Sequence, residues 1–205
     1  MFFRELHMKW YKININDCTD EQYEYWYNLM SENKKSRVDK YRFDDAKKRT
    51  VFGEMLAKKA IADLCKVDIQ TVEIEAQKNQ KPYAKGIDVH FSISHSKDVV
   101  VCAVSDKPIG IDVEKIRPIN LSVAKRVCTD DELLEIFGRV PKDDDFGYTD
   151  NTQVLTRFFK LWCAKEAYVK CSGKGLSAGL EHTPENKSFV QDGYVICICQ
   201  QQEDC

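Results

Sequence analysis

Ile109-Gly110-Ile111-Asp112-Val113-Glu114 alternates apolar and acidic side chains behind a single glycine. Alternation with a period of two predicts an extended strand, in which residues i and i+2 share a face. Asp112 and Glu114 then project together, while Ile111 and Val113 point the other way into a core. Two converging carboxylates repel each other unless a proton or a cation sits between them. A third carboxylate, Glu166, follows inside Trp162-Cys163-Ala164-Lys165-Glu166-Ala167-Tyr168-Val169-Lys170, a stretch patterned as a helix. Three carboxylates from a strand and a helix make an all-oxygen pocket suited to a hard ion such as Mg²⁺. Taken singly, each part has a plainer reading. Asp112 and Glu114 suit the solvent face of a half-exposed strand, and Glu166 with Lys170 is an ordinary i, i+4 helix pair. Against that, the helix also carries Phe158, Phe159, Leu161, Trp162, Tyr168 and Val169, which leaves little of its circumference for open water.

Working outward, an opening strand is predicted near Lys9–Ile15 and an aromatic-rich helix from Asp20 to Met30, capped by Thr19 or Asp20. A dense basic passage, Lys34 to Arg49, leads into a helix from about Thr50 to Cys65. That placement suggests an anion site at the helix N-terminus. A turn at Asn79-Gln80-Lys81-Pro82 separates short strands at Val72–Ala76, His90–Ser94, Val99–Ser105 and Ile109–Glu114. Helices follow at Leu121–Val127 and Asp131–Phe137. A polar run from Gly138 to Asn151 then reads as a mobile loop. The principal helix of the second part spans about Gln153 to Cys171, ends at Gly173-Lys174-Gly175, and is followed by strands at Ser188–Val190 and Tyr194–Cys199. Phe52-to-Ala60 aligns without gaps on Phe159-to-Ala167, sharing Phe, Ala, Lys and Ala at identical spacing. The expected fold is therefore α+β. It has two pseudo-two-fold duplicated halves, 1–114 and 115–205, each a principal helix on a small, mostly antiparallel sheet, with the site at their junction.

Composition narrows the function. With 31 Lys and Arg against 33 Asp and Glu, the net charge is −2, which argues against bulk nucleic-acid or membrane binding. No apolar run approaches the roughly 20 residues needed to span a bilayer. Arg4 and Glu5 fall where a signal peptide would carry its apolar region, so a cytoplasmic protein is expected. The 9 cysteines include no CxxC pair and suit reduced core thiols rather than a zinc site. The strand Phe91-Ser92-Ile93-Ser94-His95-Ser96 ends on a histidine between serines. It lacks the glycines of a nucleophile elbow, so His95 reads better as a donor to phosphate. There is no Walker loop and no G-x-G-x-x-G, and any nucleotide-like ligand must be held by basic side chains.

In this order the motifs resemble the 4′-phosphopantetheinyl transferase superfamily, in its surfactin-type branch of pseudo-dimeric single chains. The match rests on Ile109-Gly-Ile-Asp-Val-Glu-Lys115 and Lys160-Leu-Trp-Cys-Ala-Lys165-Glu166-Ala-Tyr-Val-Lys170, with Phe91 to Ser96 upstream and Gly173 to Ser177 downstream. The resemblance implies transfer of the phosphopantetheine arm of coenzyme A to a serine of an apo acyl or peptidyl carrier protein, releasing 3′,5′-ADP. It implies Asp112, Glu114 and Glu166 as Mg²⁺ ligands, with Glu166 also the base, directly or through a water. Lys170, Lys165, His95 and Ser94 would meet the coenzyme A phosphates. Lys34, Arg37 and Arg49 would take its 3′-phosphate end, and Lys81 occupies the family's Gly-Lys-Pro position, here Gln80-Lys81-Pro82. The carrier would dock on Leu121–Phe137, through Val123, Val127, Leu133, Leu134, Phe137, Lys125 and Arg126. The resemblance also implies a monomer, and the C-terminal half departs from the family's pattern in being short, with 25 residues after Leu180. Two alternatives remain at this point: a non-catalytic coenzyme A- or carrier-binding relative, and a different Mg²⁺-dependent phosphoryl-transfer enzyme.

Overall fold

The alternating stretch is a strand, and both of its faces are covered. The structure, a computed structural model, describes residues 8–76, 80–142, 147–173 and 186–201. Along the chain run β1 (Met8–Asn14), α1 (Asp20–Asn28), α2 (Glu32–Asp39) and α3 (Asp44–Cys65). Next come β2 (Ile74–Glu75), β3 (Tyr83–Ala84), β4 (His90–Ser96), β5 (Val99–Ser105) and β6 (Ile109–Lys115). The remainder comprises β7 (Ile119–Asn120), α4 (Leu121–Val127), α5 (Asp130–Phe137), β8 (Tyr148–Thr149), α6 (Thr152–Ser172), β9 (Lys187–Gln191) and β10 (Tyr194–Gln200). The fold is α+β, with antiparallel pairing throughout these strands.

Two three-stranded sheets, β1-β5-β4 and β6-β10-β9, form the centre. Val100, Cys102 and Val104 of β5 face α3, where they meet Phe52, Leu56, Ala57, Ala60 and Ile61. The alternate residues Val99, Val101 and Ala103 face the other sheet and pack on Ile109, Ile111 and Val113 of β6 and Ile196 and Ile198 of β10. On the far side, Val195, Cys197 and Cys199 of β10 meet Phe158, Phe159, Cys163, Ala164 and Ala167 of α6. The layers thus run helix, sheet, sheet, helix. Because β5 and β10 are buried on both faces, Val-Val-Val-Cys-Ala-Val and Tyr-Val-Ile-Cys-Ile-Cys are nearly continuous apolar runs rather than alternating ones. Three of the four positions shared by the aligned helices are buried in both, namely Phe52/Phe159, Ala57/Ala164 and Ala60/Ala167.

Three local expectations are corrected. First, α3 begins at Asp44 rather than Thr50, so Lys47, Lys48 and Arg49 lie within the helix and not before it. Its first turn holds Asp44 and Asp45, whose charges complement the positive end of the dipole. Lysine and arginine are good helix formers, and without apolar periodicity their helix was invisible as a pattern. The same holds for α2, which carries Lys34 and Arg37. Second, the segment Val72–Ala76 contributes only the two residues of β2, behind a 3₁₀ turn at Ile69–Thr71. Third, the polar run Gly138–Asn151 is not loop throughout, because Tyr148–Thr149 pairs with Ile119–Asn120. Residues 143–146 of that run lie outside the described residues. So do Asn79 of the predicted turn and the Lys174-to-Ser177 part of the downstream motif.

Candidate active site

The site is assembled where β4, β6 and α6 meet. On β6 the side chains of Ile109, Ile111 and Val113 enter the core between the sheets, so Gly110, Asp112 and Glu114 face α6. The helix can approach because residue 110 has no side chain. A Cβ there would lie 1.9 Å from the Ala167 carbonyl oxygen and 2.5 Å from the Cys171 nitrogen. β4 runs beside β6 and supplies a matching row of hydroxyls. Ser94 Oγ donates to Asp112 Oδ1 at 2.7 Å, and Ser96 Oγ donates to Glu114 Oε2 at 3.0 Å. From α6, Lys170 Nζ reaches Asp112 Oδ1 at 2.6 Å and Ser94 Oγ at 2.8 Å. Arg117 Nη1 donates to Glu114 Oε2 at 3.1 Å.

The electrostatics of the cluster follow from burial. Glu166 is half-buried, and its pKa is raised first by desolvation and then by the charge of Asp112, with Glu114 adding and Lys170 opposing. The three predicted carboxylates therefore feel one another. Asp112 is 4 % exposed, and its Oδ2 is buried without a hydrogen-bond partner among the described residues. Such an orphaned carboxylate oxygen is costly unless something charged completes it. The same residues do not form a ready-made ion cage. No group of three or more His, Cys, Asp or Glu among the described residues is gathered as one, and the Lys170 ammonium balances Asp112 instead. The donor set of carboxylate oxygens, one of them orphaned, fits a hard divalent cation.

Most of the other predicted residues border this cluster. His95 and Arg49 line two neighbouring cavities at once. One, of about 800 Å³, also touches Ser96, Glu114 and Arg117. The other, of about 720 Å³, is lined by Lys34 and Arg37 together with Gly53, Ile74 and Pro82. Arg49 donates to the Lys97 carbonyl at 2.8 Å, and Lys34 pairs with Glu54 at 2.8 Å and with the Ile74 carbonyl at 2.6 Å. The His95 pKa is lowered, chiefly by burial and then by the Arg49 charge. Lys81 turns to β6, where it donates to the Ile109 carbonyl at 2.8 Å, and burial lowers its pKa.

Lys165 is the exception. It is 1 % exposed, and its ammonium is spent on Glu132 Oε2 at 2.6 Å and the Val127 carbonyl at 3.0 Å. The structure sets it between α6 and the α4–α5 corner, away from the cluster. Consecutive helix residues point about 100° apart at 3.6 residues per turn, so Lys165 and Glu166 cannot face the same site. Leu133 is likewise core, at 1 % exposure, and only Leu134 of the expected apolar docking residues is exposed.

Ser96, Arg117 and Glu132 were not anticipated. Ser96 was legible, because Ser94/Asp112 and Ser96/Glu114 advance in step, two residues at a time on adjacent strands. Glu132 was legible as the last residue of a Thr-x-x-Glu capping box, which α5 indeed forms with Thr129.

Comparison with known proteins places these residues in context. Residues 108–203 match the family model described as the 4′-phosphopantetheinyl transferase superfamily, and residues 17–107 match that described as 4′-phosphopantetheinyl transferase, N-terminal. The chain is 34 % identical over 178 residues to 4′-phosphopantetheinyl transferase psf-1 of Bacillus pumilus, covering 84 % of this chain and 72 % of that protein. It is 32 % identical over 190 residues to 4′-phosphopantetheinyl transferase Sfp of Bacillus subtilis (strain 168), covering 92 % and 80 %. A more distant relative, 4′-phosphopantetheinyl transferase HetI of Nostoc, is 27 % identical over 72 % of this chain and 61 % of its own.

Proposed function

Since this chain belongs to the 4′-phosphopantetheinyl transferase superfamily, in its surfactin-type branch, and is an enzyme of that transferase class, we propose that it moves the phosphopantetheine arm of coenzyme A onto a serine of an apo acyl or peptidyl carrier protein, releasing 3′,5′-ADP. One observation carries the reading. Asp112, Ser94, Glu166 and Lys170, drawn from three separate motifs, meet in one half-buried charged cluster beside two basic-rimmed cavities.

In this reading coenzyme A occupies the two cavities, with Lys34, Arg37 and Arg49 at its 3′-phosphate end and the pyrophosphate near His95 and Lys170. The depressed pKa of His95 keeps its imidazole neutral near pH 7, so it donates one N–H and adds no charge that would have to be desolvated. The Lys170 ammonium has three donors, of which Ser94 and Asp112 take two, leaving one for a phosphate oxygen. Glu166 withdraws the proton from the carrier serine as it attacks the β-phosphate, directly or through a water. Desolvation raises the basicity of this carboxylate toward the range useful for a base at neutral pH. Asp112, Glu114 and Glu166 would hold a Mg²⁺ ion, whose charge would offset that of the pyrophosphate and of the developing transition state. Lys165 acts at one remove, by fastening α4–α5 to the helix that carries Glu166.

We read the chain as two duplicated halves, 1–114 and 115–205, joined through β6, which ends the first and pairs with β10 of the second. The site then lies at their junction, the chain is monomeric, and the carrier docks near α4–α5, with Leu134 as its exposed apolar contact. No helix among the described residues is long and apolar enough to cross a membrane.

The test is direct. The protein is incubated with coenzyme A, Mg²⁺ and apo carrier proteins from fatty-acid, polyketide and nonribosomal peptide pathways, and the carriers are weighed. A gain of one phosphopantetheine unit with stoichiometric 3′,5′-ADP supports the proposal. Coenzyme A binding with no mass gain on any carrier overturns it in favour of a non-catalytic binding role.

A further inference from the structure

The last turn of α6 brings a second reactive pair together, and none of the chemistry above uses it. Cys199 of β10 stands directly opposite Gly110 of β6 in the antiparallel register. Residues opposite one another in such a pair project to the same face, with Cβ positions about 5 Å apart. α6 also crowds the Gly110 position, its Cys171 nitrogen falling 2.5 Å from the Cβ that a larger residue would place there. Cys171 and Cys199 therefore enter one interface from opposite sides, and both belong to the core around α6.

Their environments differ in a way that assigns roles. Cys199 is buried at 5 % exposure, whereas Cys171 is only partly buried. The Cys171 thiol lies 3.2 Å from the Pro108 carbonyl, and the Lys81 ammonium is held nearby on the Ile109 carbonyl. The neighbouring Cys199 thiol and the Lys81 charge outweigh burial and bring Cys171 down to about 7, while Cys199 is pushed up. Thiolate character and access decide which cysteine an oxidant attacks. Cys163 and Cys197 form a contrasting pair. They also interact with each other, but both are wholly buried, and burial holds the Cys163 thiol protonated.

We propose that Cys171 and Cys199 form a peroxide-sensitive dithiol that closes to a reversible disulfide. The Cys171 thiolate attacks one oxygen of hydrogen peroxide, breaking the O–O bond. Cys171 becomes a sulfenic acid and hydroxide leaves. The Cys199 sulfur then attacks the sulfenic sulfur, the S–S bond forms, and the hydroxyl departs as water with the thiol proton. Two electrons pass from the two sulfurs to the peroxide, and a dithiol reductant returns them. Bonding draws the sulfurs to about 2.05 Å and ties the end of α6 to β10.

The experiment treats the full-length protein with hydrogen peroxide at neutral pH, blocks the remaining thiols and maps peptides without reduction. The expected product is a Cys171–Cys199 cross-linked peptide that forms before any involving Cys163 or Cys197 and disappears with dithiothreitol. In Cys199→Ala, a sulfenic acid should instead be trapped by dimedone at Cys171, and Cys171→Ser should lose both products. Persistence of free Cys199 while Cys171 proceeds to sulfinic acid would overturn the proposal, as would cross-linking of Cys163 to Cys197 at an equal rate. The wild-type measurement decides the matter even where a variant folds poorly.

Discussion

Asp112 is the residue on which the site's charge balances, since it meets Ser94 and Lys170 through one oxygen and leaves the other unpartnered. Asp112→Ala or Glu166→Ala should reduce carrier modification by at least about 10²-fold while far-UV circular dichroism stays unchanged. Full activity in the Asp112→Ala protein would remove the basis for a metal role. His95 predicts a pH effect of definite sign. Burial, Arg49 and Lys170 oppose its imidazolium, Asp112 favours it, and the net folded pKa lies below the ordinary value of 6.5. The unfolded chain therefore binds the proton more tightly. The stabilising contribution is complete above about pH 6.5 and is lost as pH falls from there through the folded pKa. His95→Gln should thus narrow the difference in thermal midpoint between pH 7.5 and pH 5, and an unaltered difference would refute this account. At this scale the carboxylates were legible because strand alternation and the helical motif each announce a face. Lys165 came from its place in the motif alone, and the structure turns its ammonium to Glu132 and the Val127 carbonyl instead.

Elements whose packing generates a strong pattern were legible. β5 and α4 match their expected spans, and β10 and α6 are displaced by one residue at most. What failed was α2 and the start of α3, where basic residues form helix without an apolar stripe. The meeting of β4 with β6 was also missed, because it is made by side-chain hydrogen bonds between two different sheets. Gly110→Ala would drive a Cβ into backbone atoms of α6 rather than into a yielding side chain. We expect a loss of at least about 2 kcal/mol, read as a lowered urea midpoint. Carrier modification should fall with it, because Glu166 and Lys170 ride on the displaced helix. Lys165→Met should cost about 3–5 kcal/mol, since it strips the ammonium from Glu132 and from the Val127 carbonyl at the end of α4. Adding Glu132→Leu should restore part of that loss. Strict additivity in the double-mutant cycle would mean that the pair does not couple α5 to α6.

The two sheets lie face to face, and the molecule's innermost core is shared between them. Val101 of β5, Ile111 of β6 and Ile196 and Ile198 of β10 are at most 2 % exposed, and they lie in one cluster. Neither sheet can be laid bare without exposing the other, which argues that the two sheets unfold together although each packs on a helix of its own. Trp26 packs with the first core and Trp162 with the second, so their combined fluorescence reports on both, and far-UV circular dichroism reports on α3 and α6. The two signals should trace a single coincident transition in urea. Ile196→Ala opens a cavity in the shared layer and should shift that transition downward by about 2–5 kcal/mol without splitting it. Two resolved transitions in this variant would mean that the outer cores around α3 and α6 are self-sufficient. The active site would then depend on the docking of two independently stable bodies. A single shifted transition places Asp112, on β6, and Ser94, on β4, within one cooperative unit, so that the site forms when the sheets close on each other.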